Sequence, residues 1–239
     1  MEPVFVDCHS HVAPSGDDGA QTLSDALWLC RDAARHGTSI LFATPHVFPH
    51  LPLTPERERA IRANVLKLRA EARLDLRLGF ELTPAPALLR DDPWRYRLEG
   101  TDNVLMEVPF RGSIDLLVAL AERTEAAGLR PVIAHPERTE AVMAEPELAV
   151  ELFQRGWALQ VNASSLLGRH GEECEALGWA LLEAEVASLV ASDGHRESRP
   201  ARLDEAFARV RARFGDAHAQ PLFDGSALGL GAQQLAHAS

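Results

Sequence analysis

Short apolar runs alternate along the chain with longer stretches in which apolar residues recur at helical spacing. The first run, Val4-Phe5-Val6-Asp7-Cys8-His9-Ser10-His11, reads as a strand. Pro14, Gly16 and Asp17-Asp18-Gly19 then mark a loop, and a helical pattern over 22–36 places Ala26, Leu27, Leu29, Cys30, Ala33 and Ala34 on one face before Gly37 stops it. A second strand over 39–44 ends in Pro45-His46. Thr54, Pro55, Glu56 and Glu58 form a helix start, and that helix runs to about Arg73. The third strand, 76–82, has Glu81 near its end and leads into an irregular Pro-rich segment, 83–100. The fourth, 103–108, carries Glu107. A helix from Ser113 or Asp115 to Ala127 precedes the fifth strand, 130–135, which ends in His135-Pro136-Glu137-Arg138. Helical segments near 146–155, 172–185 and 201–214 then alternate with strands over 157–162 and 187–192, the latter ending in Asp193-Gly194-His195.

Seven strand candidates alternating with helices, with no composition break between them, predict an α/β chain folded as a parallel (βα)7 TIM-like barrel, one domain over 1–239. In such barrels the loops at the C-terminal ends of the strands build the site. His9, His11, His46, Glu81, Glu107, His135, Asp193 and His195 all fall at those ends.

Composition narrows the partners. A net charge of −11 and the lack of any Lys/Arg cluster argue against a nucleic-acid binder. No apolar run approaches the ~20 residues that span a bilayer, so membrane insertion is not expected. The three cysteines, Cys8, Cys30 and Cys174, are widely spaced, form no Cys-x-x-Cys pair and lie in no Cys-x5-Arg loop, which fits reduced thiols in a cytoplasmic protein.

Residues i and i+2 of a strand project the same way, so His9 and His11 can reach one metal ion together. One His-x-His is weak evidence, but eight imidazoles and carboxylates on one rim are most simply explained by metal. The mixed donor set suits Mn, Fe or Zn, and its size exceeds what one ion can use, so two or three ions are implied. Ions about 3.5–4 Å apart typically clamp a phosphoester oxygen and generate hydroxide for in-line attack. The remaining histidines, His36, His50, His170, His218 and His237, read as ordinary surface residues.

The motifs DCHSH, DDG, ATPH, GFE, MEVP, AHPER and SDGH, in this order and spacing over about residues 4–200, resemble the PHP (polymerase and histidinol phosphatase) superfamily. They are most similar to the bacterial PHP-type protein-tyrosine phosphatases of capsule and exopolysaccharide operons. The resemblance implies a distorted seven-stranded βα barrel with three metal ions, usually Mn or Fe. One ion would take His9, His11, Glu81 and Asp193; a second would share Glu81 and add Glu107 and His135; the third would take Asp18, His46 and His195. Arg138 and Arg199 match arginines that hold the substrate phosphate. The implied partner is a phosphotyrosine-bearing protein, a bacterial tyrosine kinase. Two departures stand out: one residue fewer separates Asp193-x-His195 from Arg199-Pro200, and the family's Gly-x-Phe-Gly is here Gly168-Arg169-His170-Gly171.

Three alternatives share part of the pattern. A histidinol-phosphate phosphatase would use the same metal chemistry. A binuclear amidohydrolase with a carboxylated lysine at a strand end has no lysine to use, since the only one, Lys67, sits within a predicted helix, and its lysine-free DNase-like relatives stay open but account less well for the terminal Asp193-x-His195 pair. An inactivated PHP domain with a structural or regulatory role should have lost ligands, and every ligand class is present.

Overall fold

The computed structural model describes residues 4–230. Its centre is built of short parallel strands. β1 (Phe5–Ser10) and β2 (Thr38–Ala43) pair with each other, and β2 with β4 (Asp75–Leu78). A second sheet runs β3 (His46–Val47), β5 (Glu81–Leu82), β6 (Asn103–Glu107), β7 (Arg130–Ala134), β8 (Ala158–Asn162), β9 (Leu189–Ala191) in that spatial order.

The two sheets belong to one ring. β2 continues into β3 across Thr44-Pro45, and β4 into β5 across Gly79-Phe80. Pro45 has no amide hydrogen for the ladder, yet bonding persists through the kinks. Thr44 N–H donates to Ser10 O at 2.7 Å, Gly79 N–H to Ala43 O at 2.9 Å and Glu81 N–H to Pro45 O at 3.2 Å. On the far side Asp193 N–H donates to His9 O (2.9 Å) and His11 N–H to Gly194 O (2.7 Å), joining β9 to β1. Counting each kinked strand once gives the seven strand positions that the periodicity predicts. The fold is a distorted α/β barrel.

Alternate strand residues pack on opposite sides. Val6, Cys8, Ile40, Phe42, Leu105, Val132, Ala134, Leu189 and Ala191 form an inner cluster, to which Leu98, Leu228 and Leu230 are added. Phe5, Leu41, Val104, Met106, Ile133 and Val190 face outward against the helices. Both faces are buried, which is why the strands read as continuous apolar runs.

Around the strands lie α1 (Leu23–Arg35), α2 (Pro55–Arg69), α3 (Asp115–Ala126), α4 (Glu140–Ala144), α5 (Glu147–Gln154), α6 (Ala163–Leu166), α7 (Glu172–Glu183), α8 (Asp204–Phe214) and α9 (Asp216–Phe223). α1 starts where expected: Thr22 accepts from Asp25 N–H at 3.2 Å while Asp25 accepts from Thr22 N–H at 3.1 Å, a capping box. Its predicted face is buried at Ala26, Leu29, Cys30 and Ala33. Three helices differ from the expectation. α4 and α6, of five and four residues, are too short to show a period. α9 begins after Gly215 and contains Pro221, two signals that read as breaks.

Candidate metal centre

Local backbone irregularities turn the site residues inward. On β1, Val6 and Cys8 belong to the inner cluster, and strict alternation would send His9 outward. A register irregularity against β2 falls between Asp7 and Ser10, a bulge that resets the phase. Asp7 Oδ1 accepts from His9 N–H at 3.3 Å and from Ser192 N–H at 3.0 Å and so ties the irregular stretch to the end of β9. On β7 the inner residues are Val132 and Ala134, and His135 follows with φ 37°, again turning the next residue inward. Asp193 has φ 52°. Left-handed backbone at a non-glycine residue costs of order 1–3 kcal/mol and persists where surrounding structure demands it. Two motif glycines are required by close approach. A Cβ at Gly19 would lie 2.2 Å from His11 O, and one at Gly194 would lie 2.6 Å from the backbone of Ala201.

All nine expected ligand residues meet in one place. The Nε2 atoms of His9 and His11 are 3.3 Å apart. Glu81 Oε2 lies 3.1 Å from His9 Nε2, 3.2 Å from His11 Nε2 and 3.0 Å from His46 Nδ1, while its Oε1 is 3.0 Å from His135 Nε2. Asp193 Oδ1 is 3.5 Å from His9 Nε2, His11 Nε2 and His195 Nδ1. Asp18 Oδ1 is 3.3 Å from His195 Nε2 and 3.8 Å from His46 Nε2. Four overlapping groups have donor atoms within 4.8 Å of one another: His11/Asp18/His46/His195, His9/Glu81/His135, His9/His11/Asp193 and His46/Glu81/Glu107. The expected trio of Asp18, His46 and His195 stays together. Glu107 and His135, expected on one ion, fall in different groups, each with Glu81.

The donor set fits metal. Among the described residues, Glu81 Oε2, His46 Nδ1 and His135 Nδ1 are buried without a hydrogen bond of good geometry, and Glu81 and His46 point these atoms at one locus. Buried polar atoms normally find a partner, so converging orphans of this kind suit a cation. Burial pushes the Glu81 carboxyl up, but His46 and His9 beside it pull it well below the usual carboxylate range. Asp193 behaves likewise, burial being outweighed by His9, His11 and Arg199. Burial and the neighbouring Glu81 raise Glu107 to about 7, and the His195 hydrogen bond lowers Asp18 to about 2. Three buried carboxylates and one exposed one within reach of five imidazoles make a donor set that suits bound cations.

Two guanidinium groups share one carboxylate oxygen. Arg138 Nη1 donates to Asp193 Oδ2 at 2.8 Å, and Arg199 donates to the same atom. Arg199 Nε is buried without a partner among the described residues. Neither arginine is taken up by surface acids: Glu140 pairs with Arg111, and Glu137 accepts from Ser165 Oγ and Asn162 N–H. Both arginines line a cleft of about 370 Å³ together with Asp18, His46, Glu107, His135, Asp193 and His195. A larger hollow of about 650 Å³ beside Met143 and Leu177 has no imidazole in its wall.

Several residues that position the centre have no sequence signal of their own. Gln160 Oε1 is 2.8 Å from His9 Nδ1, and its amide donates to Asn162 Oδ1 at 2.8 Å. Asn162 Nδ2 in turn donates to Asp193 Oδ2 at 2.8 Å. Asp17 accepts from His46 N–H at 3.0 Å and lies 3.3 Å from His11 Nδ1, so one acid of the Asp17-Asp18 pair orients imidazoles and the other joins the donor cluster. Such partners fix ring orientation and raise ligand basicity. His170 departs from its expected place at the surface. It is half-buried 3.0 Å from Ser165 Oγ, and burial together with Arg138 and Arg199 pushes its imidazole down to about 3. His50 is exposed, while His36 and His218 are half-buried; His237 lies outside the described residues.

A family model described as capsular polysaccharide synthesis, CpsB/CapC, matches residues 5–228. The chain belongs to the CpsB/CapC family. It is 31% identical over 218 residues to the tyrosine-protein phosphatase YwqE of Bacillus subtilis, covering 88% of this chain and 85% of that one. It is 30% identical over 211 residues to the putative tyrosine-protein phosphatase CapC of Staphylococcus aureus, covering 85% and 82%. Among solved structures, a chain from the work on YwqE from Bacillus subtilis and CpsB from Streptococcus pneumoniae, described as unique metal-dependent tyrosine phosphatases, superposes with TM-score 0.79 at 29% identity over 91% of both chains. The phosphotriesterase homology protein of Escherichia coli, at TM-score 0.61 and 10% identity, shares the fold.

Proposed function

We propose that this CpsB/CapC-family protein is a metal-dependent phosphomonoesterase that removes phosphate from tyrosine. Its substrate would be a bacterial tyrosine kinase that controls capsule or exopolysaccharide synthesis, and it would act in the cytoplasm. The observation that carries the reading is the convergence of five imidazoles and four carboxylates beneath two arginines that share Asp193. The names of the CpsB/CapC-family relatives, tyrosine-protein phosphatases, support the substrate class.

His9, His11, Asp18, His46, Glu81, Glu107, His135, Asp193 and His195 would hold three ions, manganese being the expected one. When bound, such ions polarise phosphoryl oxygens and make water a nucleophile near neutral pH. The chain supplies the rest. Arg138 and Arg199, anchored on Asp193, offer their remaining N–H groups to the phosphoryl oxygens in the forked geometry that suits a phosphate. Gln160, Asn162 and Asp17 hold His9, Asp193 and His11 in place. A covalent phosphocysteine route is disfavoured: all three thiols are buried, and burial raises Cys30 to about 12 and Cys8 well above the ordinary thiol range.

The test compares chelated and manganese-reloaded protein on a phosphotyrosine peptide and on histidinol phosphate. Turnover of the peptide that is lost on chelation and regained with manganese is expected, with histidinol phosphate the poorer substrate. Preference for histidinol phosphate, or turnover that survives removal of all metal, would overturn the proposal.

A further inference from the structure

Two phenyl rings stand at the mouth of the cleft with no part in holding metal or phosphate. Phe48 lies 4.1 Å from the His46 ring with planes 24° apart, and 5.0 Å from His50 at 10°. Phe110 lies 5.7 Å from the His135 ring at 15°, and the Arg138 guanidinium sits 5.2 Å from its centroid. His46 and His135 contact different oxygens of Glu81, Oε2 and Oε1, so the rings are fixed beside two separate histidines of one cluster. Both line the same cleft as the arginines. Phe110 is 45% exposed, so part of its ring is open to a ligand in the cleft.

From this geometry we infer that Phe48 and Phe110 are specificity-determining walls that receive the aromatic ring of an aryl phosphate while Arg138 and Arg199 receive its phosphoryl group. The inference rests on the phosphomonoesterase reading and adds the source of the preference for aryl over alkyl esters. Aromatic pairs favour edge-to-face or offset contacts, worth about 0.5–1.5 kcal/mol beyond the area they bury. Phe48 stacks beside His46 and His50, and the Phe110 ring lies against Arg138. A ring joined to phosphorus through one ester oxygen enters the cleft between such walls. An alkyl ester leaves them wet.

The discriminating quantity is a ratio. Phe110 also packs on Arg138, so its removal can weaken phosphate binding for every substrate; dividing the value for phenyl phosphate by that for ethyl phosphate cancels this shared loss. With the manganese-loaded full chain, Phe110→Ala should lower the phenyl-to-ethyl ratio of kcat/KM about tenfold. Phe110→Trp should keep it, and Phe48→Leu should lower it with metal content unchanged. The same ratio is read without turnover from binding of phenylphosphonate against methylphosphonate. Equal affinity of the wild type for the two phosphonates, or an unchanged ratio in Phe110→Ala and Phe48→Leu, would overturn the walls. A chain that binds phenylphosphonate selectively but hydrolyses no phosphomonoester would overturn the proposed function and keep the walls.

Discussion

Replacing Arg138 by Ala separates binding of the phosphoryl group from binding of metal. Arg138 is three residues beyond His135, donates at 2.8 Å to Asp193 and is about one-fifth exposed at the mouth of the cleft. Removing one preorganised charge from a phosphoryl-transfer transition state commonly costs about 100-fold in rate, or ~2.7 kcal/mol at 1.36 kcal/mol per decade. The structural cost is smaller, since Asp193 keeps Arg199 and the Asn162 amide as donors. About 1 kcal/mol of stability should be lost, which for a chain of this size lowers the melting temperature by ~2–4 °C. Steady-state kinetics on a phosphotyrosine peptide, metal analysis of the same sample and a thermal melt would together show a large rate loss with full metal content. Arg138→Lys should restore only part of the rate, because an ammonium cannot reproduce a forked contact. Wild-type kinetics for Arg138→Ala would refute the assignment, and a rate loss that merely tracks lost metal would show that Arg138 acts only by holding Asp193.

The His46 and Gly19 amides donate to different oxygens of Asp17, so Asp17→Asn keeps an acceptor for only one of them and also removes the charge beside His11; metal retention against a chelator should weaken about 10–100-fold, and unchanged retention would exclude an orienting role. His46→Ala should lose one metal equivalent and most activity while remaining folded, and an unfolded variant with its full metal complement would mark His46 as a packing residue. Iodoacetamide should leave the native enzyme active because its thiols are buried and high in pKa; inactivation with the metals still bound would contradict this. Arg202→Ala strips buried Asp32 of a two-pronged partner at 2.6 and 2.8 Å. With Arg202 about one-third exposed, ~2 kcal/mol and ~4–8 °C of melting temperature should be lost without change in metal content. An unaltered melt would show that solvent replaces this pair.

The alternation of strands and helices, the strand ends that carry His9, His11, His46, Glu81, Glu107, His135, Asp193 and His195, and the loop with Asp18 were legible in the chain alone. Strands buried on both faces must be continuously apolar, so a polar ligand at the end of such a run is conspicuous locally. The span of α1 was legible for the same reason, its apolar face and the closing Gly37 lying within one stretch of chain. What the sequence could not reveal depends on contacts between distant segments. Gln160 meets His9 across 151 positions, and Asn162 meets Asp193 across 31. The inward turn of His9 rests on an irregular pairing with β2, and the inward turn of His135 on a left-handed backbone that neighbouring elements enforce. His170 read as a surface histidine because nothing within its own loop shows that it folds back onto Ser165, within the field of Arg138 and Arg199. Periodicity records which residues leave water, whereas the closing of the ring decides which of them meet.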